Sequence, residues 1–223
     1  MSGGRTTAGV VRVGDTVRRP IKKHATFVHD FLNHLEAREF CGAPRFLGID
    51  CAGRETLSFI PGSVPSELGA FSDGQIVAAA RLLRQLHDAT LDSPLRGGHE
   101  VVCHGDASPC NCVFLEGTPV AFIDFDTAHP GSRLDDLGYA SWLWSDLGND
   151  ELSADRQGMR VADFFRSYGV DGGLAIDSII GAQTALSART DSPGVREWAT
   201  NCRAWVEQKR ETLAAAMAAS DAR

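Results

Sequence analysis

Up to about residue 60 the hydrophobic pattern of this chain is strand-like around a single helix, and beyond that it is mostly helical. Residues 10–19 place two β-branched runs around Gly14-Asp15, which predicts a short hairpin. Val28, Phe31, Leu32 and Leu35 recur at helical spacing within residues 26–39, and Gly42 supplies a stop soon after. Phe46 to Ile49 and Glu55 to Ile60 read as strands on either side of an Ala52-Gly53 turn. The first 60 residues therefore predict the order β-β-α-β-β.

Pro61-Gly62 breaks this pattern, and a stretch bearing Ser, Pro and Gly follows to about residue 74. This break divides the chain into a small part, 1–62, and a larger helical part, 63–223. Ser72-Asp73-Gly74-Gln75 fits a capping box, opening a helix with Ile76, Ala80, Leu83 and Leu86 on one face. Residues 101–126 read as strand, loop, strand, strand. Leu137 to Leu147 is apolar nearly all round, as a buried helix would be. Further helices are predicted at 159–168, 175–189 and 195–218. The last carries Val195, Trp198, Cys202, Trp205 and Leu213 on one stripe, expected to face the core.

Composition narrows the class. The 223 residues are 43% apolar, enough for one large domain or two small lobes sharing a cleft. A net charge of −7 argues against a general binder of nucleic acid or anionic membrane, and leaves room for a cationic substrate. No signal peptide and no apolar run of about 18 residues appears. The six cysteines are scattered, and the C-H-x₅-C-x-C spacing around His104 does not match the usual structural zinc patterns. A cytoplasmic protein with reduced thiols is the expectation.

Chemistry concentrates in VVCHGDASPCNCVFLEGTPVAFIDFD, residues 101–126. His104 to Asn111 form a loop holding a carboxylate, Asp106, and a carboxamide, Asn111. Cys112 to Leu115 and Val120 to Ile123 are strands joined at Glu116-Gly117. A strand advances about 3.3 Å per residue, so equal runs out and back return the chain to its origin and bring Asp124 close to Asn111. An Asn oxygen and a carboxylate together suit Mg²⁺, which completes its shell with water and substrate phosphates. Asp106 can accept a hydrogen bond from an attacking hydroxyl. Phosphoryl transfer asks little else of a protein beyond positioning and charge neutralisation. Asp126 reads equally as a spare metal ligand or a turn residue.

H-G-D-x-x-x-x-N, a hairpin and I-D-x-D together resemble the aminoglycoside phosphotransferase and choline kinase group of the protein-kinase-like fold. Ala79 to His87 resembles the LxxLH helix of that group, and Pro130 with Asp136-Leu137 resembles its post-metal segment, whose aspartate braces the catalytic loop. The resemblance implies an α+β, two-lobed fold with a small β-rich N-lobe and a mainly helical C-lobe. It implies ATP or GTP as co-substrate, Mg²⁺, and a small-molecule hydroxyl as acceptor. By the same resemblance Asp106 is the catalytic base, His104 braces the loop, and Asn111 and Asp124 bind the metal.

The small lobe departs from the pattern. Gly3-Gly4-Arg5-Thr6 resembles the nucleotide loop, yet the strand expected before it is missing from the sequence given, so a shortened lobe or a late start is expected. Arg19 stands where the group has a lysine, and an arginine is not an equivalent replacement. The helix after it offers Val28 and His29 where a glutamate partner belongs. Ser58, Phe59 and Ile60 resemble the hinge that meets the purine. A kinase for choline, homoserine or a sugar, and a nucleotide-binding pseudokinase, are the alternative readings.

Overall fold

The structure, a computed structural model, describes residues 9–221. Gly14, at φ +59°, turns the chain between β1 (Val11–Val13) and β2 (Thr16–Pro20). Helix α1 (Ala25–Ala37) follows, then β3 (Phe46–Ile49) and β4 (Arg54–Ser58). The four strands form one antiparallel sheet in the order β1-β2-β4-β3, so β2, bearing Arg19, lies beside β4, bearing Glu55. Val28, Phe31, Leu32 and Leu35 are the buried face of α1, as their spacing predicts. Strand β4 stops at Ser58, two residues short of expectation, because β2 begins at Thr16 opposite Ser58 and the chain before it turns away at Gly14-Asp15.

The chain then passes into the helical remainder. Gly62 lies so close to the next hairpin that an added Cβ would sit 2.5 Å from the Phe114 carbonyl oxygen. Ser63 exchanges two backbone hydrogen bonds with Phe114, at 2.9 and 2.7 Å. Helix α2 (Asp73–Asp88) opens on the expected capping box of Ser72 and Gln75. Strands β5 (Val101–Cys103), β6 (Cys112–Leu115) and β7 (Thr118–Phe122) follow. β6 and β7 form the anticipated hairpin. A strand that the pattern does not announce, β8 (His129–Gly131), pairs with β5. It is three residues long and contains Pro130, too short for any alternation to show.

Four helices complete the chain: α3 (Arg133–Trp144), α4 (Ala154–Tyr168), α5 (Ala175–Arg189) and α6 (Pro193–Asp221). α3 starts four residues ahead of the apolar run because Ser132 and Asp135 form a second capping box. α4 likewise starts early, at the Ser153 N-cap. On α6 the expected stripe holds at Leu213, with Cys202 and Trp205 packed against the core, and fails at its start. Val195 and Trp198 are exposed, while Ala199, Val206, Leu213 and Met217 are buried. Gly158 of α4 lies under Leu213 and Ala216, where an added Cβ would be 2.9 Å from the Leu213 carbonyl oxygen and 2.9 Å from the Ala216 Cβ, so the two helices meet closely there. Trp198 instead stacks on buried Trp142, ring centroids 4.6 Å apart.

One cluster of buried side chains runs from Val28 of α1 to Met217 of α6, joining the strand-rich region to the helices. No helix among the described residues is long and apolar enough to cross a membrane.

Candidate active site

The loop after β5 is held from every side by its own chain. His104 is fully buried, and burial keeps its imidazole below the ordinary histidine pKa. The neutral ring accepts the Asp106 amide at Nδ1 (3.2 Å) and donates from Nε2 to the Ile123 carbonyl (3.1 Å). Asp136 of α3 accepts the His104 amide at 2.6 Å and the Gly105 amide at 2.8 Å. Burial raises the Asp136 pKa, but hydrogen bonding to His87 and from the Gly105 amide holds it below the usual carboxylate range. His87 closes the support, placing Nε2 3.0 Å from Asp136 and Nδ1 2.7 Å from the Tyr168 hydroxyl. The LxxLH helix and the post-metal aspartate thus meet in one buried contact.

Cys103 lies within the same cluster as His87 and Asp136, close enough for the three to bind a metal. Every member is already engaged. Its thiol donates to the Ser132 carbonyl at 3.2 Å, and burial pushes its pKa far up. The cluster is a brace for the loop.

Asp106 is raised in pKa by burial, against the opposing pull of His104 and of hydrogen bonds from Tyr139, Ser108 and Asn111. The Asn111 amide nitrogen also donates to the Asp106 backbone carbonyl at 3.1 Å. With its nitrogen engaged there, Asn111 has its side-chain oxygen to offer. The Ile123 amide donates to the Asn111 carbonyl at 2.8 Å, which sets Asp124 beside Asn111 as the hairpin argument requires. Asp124 itself adopts a left-handed conformation, φ 63° and ψ 61°, that turns it out of the strand. The side-chain oxygens of Asn111 and Asp124 are hard donors of the kind Mg²⁺ takes.

Arg19 reaches this site from the opposite sheet and is buried. Its guanidinium donates to Asp124 at 2.9 Å and to Asp126 at 2.7 and 3.2 Å. Its Nε lies 2.6 Å from Glu55, a charge contact rather than an aligned hydrogen bond. Burial opposes the guanidinium charge, but Asp126, Glu55 and Asp124 hold the Arg19 pKa above its ordinary value. Lys22 pairs with Asp126 as well. The two aspartates split. Burial and Asp126 push Asp124 up. Burial also raises Asp126, but hydrogen bonds from Asp124 and Lys22 and the charge of Arg19 bring it below the usual range. Asp126 is therefore an anchor for two cations, more than a turn residue.

Of the remaining expected positions, Gly3 and Gly4 lie outside the described residues. Ser58 and Phe59 have their amides bonded to the Arg45 and Asp15 carbonyls, and the Phe59 ring lies 3.5 Å beneath the Arg12 guanidinium. Ile60 follows them, half-buried, before Pro61. Four residues at the site carry no motif of their own: Glu55, His29, Lys22 and Tyr139. The β2–β4 register is the one signal that reaches Glu55, because it sets Glu55 opposite Arg19.

The family model for the phosphotransferase enzyme family matches residues 89–173, the span that holds the loop, the hairpin and Asp136. The trifolitoxin immunity protein of Rhizobium leguminosarum bv. trifolii is 32% identical, over 97% of this chain and 97% of that protein. The chain belongs to the phosphotransferase enzyme family. As expected of this family, its fold is that of kinase-like enzymes. A microcompartment-associated aminopropanol kinase superimposes with a TM-score of 0.62 over 92% of this chain and 89% of that one, at 12% identity. An aminoglycoside phosphotransferase from Streptomyces rimosus, solved with ADP and streptomycin, gives 0.56 over 74% and 87%, at 14% identity. At such low identity these two show a shared fold.

Proposed function

We propose that this protein is a small-molecule kinase that transfers the γ-phosphoryl group of ATP or GTP to a hydroxyl. The observation that carries this reading is the convergence of Asp106, Asn111 and Asp124 around a loop locked by the buried Asp136. Asp106 accepts the proton of the acceptor hydroxyl and orients its oxygen toward phosphorus. Burial raises the proton affinity of this carboxylate, which favours such a role. Asn111 and Asp124 would hold Mg²⁺, which when bound neutralises charge on the phosphates. His104 fixes the Asp106 backbone. Arg19 draws on its ties to Glu55 and Asp126 to meet phosphate oxygens, and Ile60 with Ser58 and Phe59 lies at the purine edge. In this scheme the chain divides near residue 62, the strand-rich part holding nucleotide and the helical part holding acceptor.

A panel of hydroxyl compounds (aminoglycosides, amino alcohols and sugars) assayed for nucleoside diphosphate release tests the reading. Turnover by the wild type, lost in Asp106→Asn and Asp124→Ala, supports it. Wild-type-like turnover in Asp106→Asn removes the assigned role. Nucleotide binding without turnover on any acceptor favours a regulatory, pseudokinase role.

The relative named as an immunity protein, similar over nearly its whole length, directs the panel toward toxins. We include hydroxyl-bearing antimicrobial compounds among the acceptors. Protection of sensitive cells by the wild type and not by Asp106→Asn is the expected result.

A further inference from the structure

We infer that Glu55 and His29 are the positioning pair for Arg19, taking the place of a carboxylate that the helix after β2 does not offer at the Val28-His29 position; this rests on the nucleotide-dependent reading above. Three observations carry it. Arg19 and Glu55 stand directly opposite each other in the β2–β4 ladder, where side chains on one face are about 5 Å apart. Glu55 is 1% exposed, and a buried carboxylate must have its charge compensated. Both of its oxygens are engaged, one 2.6 Å from Arg19 Nε and the other 2.7 Å from His29 Nε2.

His29 is on α1, in the stretch where a glutamate side chain would otherwise face the sheet. Its Nε2 is engaged by Glu55. It reaches Arg19 through Glu55. Its ring is itself fixed, stacked on Phe46 with centroids 3.7 Å apart and planes 11° from parallel. The order of support is therefore Phe46, His29, Glu55, Arg19. Moving the carboxylate from helix to strand changes what it can do. A glutamate on a helix shifts with the helix. A glutamate one ladder position away stays fixed to the arginine by the sheet. Glu55 holds the stem side of the guanidinium at Nε and leaves the two terminal nitrogens to face Asp124 and Asp126, where phosphate oxygens arrive.

The role predicts a selective loss. Phosphates feel Arg19, and the nucleoside does not. Binding of Mg-ADP and of adenosine is measured calorimetrically on the full chain, for the wild type, Glu55→Gln, His29→Phe and His29→Gln. Glu55→Gln removes the charge at nearly constant shape. It is expected to weaken Mg-ADP by about tenfold or more, the scale of a hydrogen bond to a charged group, with adenosine unchanged. His29→Phe keeps a ring on Phe46 and loses the donor, so Mg-ADP weakens there too. His29→Gln restores a donor and recovers affinity. The His29 pair decides the matter if Glu55→Gln does not fold. Equal weakening of Mg-ADP and adenosine would show Glu55 acting on the fold alone and overturn the inference. So would unchanged Mg-ADP affinity in both Glu55→Gln and His29→Phe. Mg-GDP and guanosine replace Mg-ADP and adenosine if the wild type prefers guanine, and a wild type that binds none of the four overturns the nucleotide reading itself, and the inference with it.

Discussion

His87 and Asp136, 49 positions apart, meet at 3.0 Å in a part of the core that water does not reach. The contact connects α2 to α3, and through Asp136 it fixes the His104 and Gly105 amides. Asp136→Asn leaves a neutral group with one acceptor oxygen where two oxygens now serve. Breaking a buried pair of this kind costs about 3–5 kcal/mol. For a chain of this size each kcal/mol lowers Tm by about 2–4 °C, so a calorimetric scan should show a large drop.

The same contact sets an acid dependence. The folded-state pKa of Asp136 is depressed, so its stabilisation is complete above the unfolded carboxylate value, about 3.9, and declines as pH falls through that value toward the lower folded one. Denaturant titrations at descending pH should show the wild type losing stability in this window. Asp136→Asn should start less stable and lose less.

Gly138 is where α3 and α5 touch. An added Cβ would overlap the Ser178 carbonyl, a backbone atom that cannot swing aside. Gly138→Ala should cost about 1–3 kcal/mol as an overpacked site. Gly181, on α5 with open space around it, should accept alanine without loss. Equal behaviour of the two in urea denaturation would contradict the packing described.

Tyr139 hydrogen-bonds to the Asp106 carboxylate, and burial with the Asp106 charge pushes the phenol pKa far up, so it remains a donor. Tyr139→Phe deletes that donor alone. Turnover should fall by about tenfold or more with the nucleotide KM unchanged, because the loss falls on the group facing the acceptor. A rise in nucleotide KM at constant kcat would place Tyr139 on the wrong substrate.

Trp144 donates from its indole to the Ala107 carbonyl at 3.0 Å, tying the loop to the end of α3. Trp144→Phe should cost about 1–2 kcal/mol in stability for the unsatisfied carbonyl, read from urea midpoints.

What could be read from the sequence was what lies contiguously in it. The His104–Asn111 loop, the hairpin and Asp124 occupy one short span, so chain geometry alone brings them together. α5 appears at its predicted bounds, with Ala175, Ile176 and Ile179 on its buried side. Starts set by Ser132 and Ser153 were hidden, because a cap is polar and precedes any apolar period. The buried side of α6 was hidden in part. Large apolar residues suggest a face, but close helix approach is permitted by small ones, Ala216 here and Gly158 opposite. Glu55 was read as an ordinary strand residue. A charge on a strand looks solvent-facing until the register shows which arginine lies across from it.

The Ser63–Phe114 bridge bears on how the molecule comes apart. A connector that exchanges both backbone hydrogen bonds with a strand of the helical part works as a seam, and Gly62 permits the fit because it has no side chain to hold the layers apart. Hydrogen exchange at the Ser63 and Phe114 amides should then report the same opening event. Heat should release the sheet and the helices together, as one garment torn along its stitching and not as two pieces falling from a loose thread.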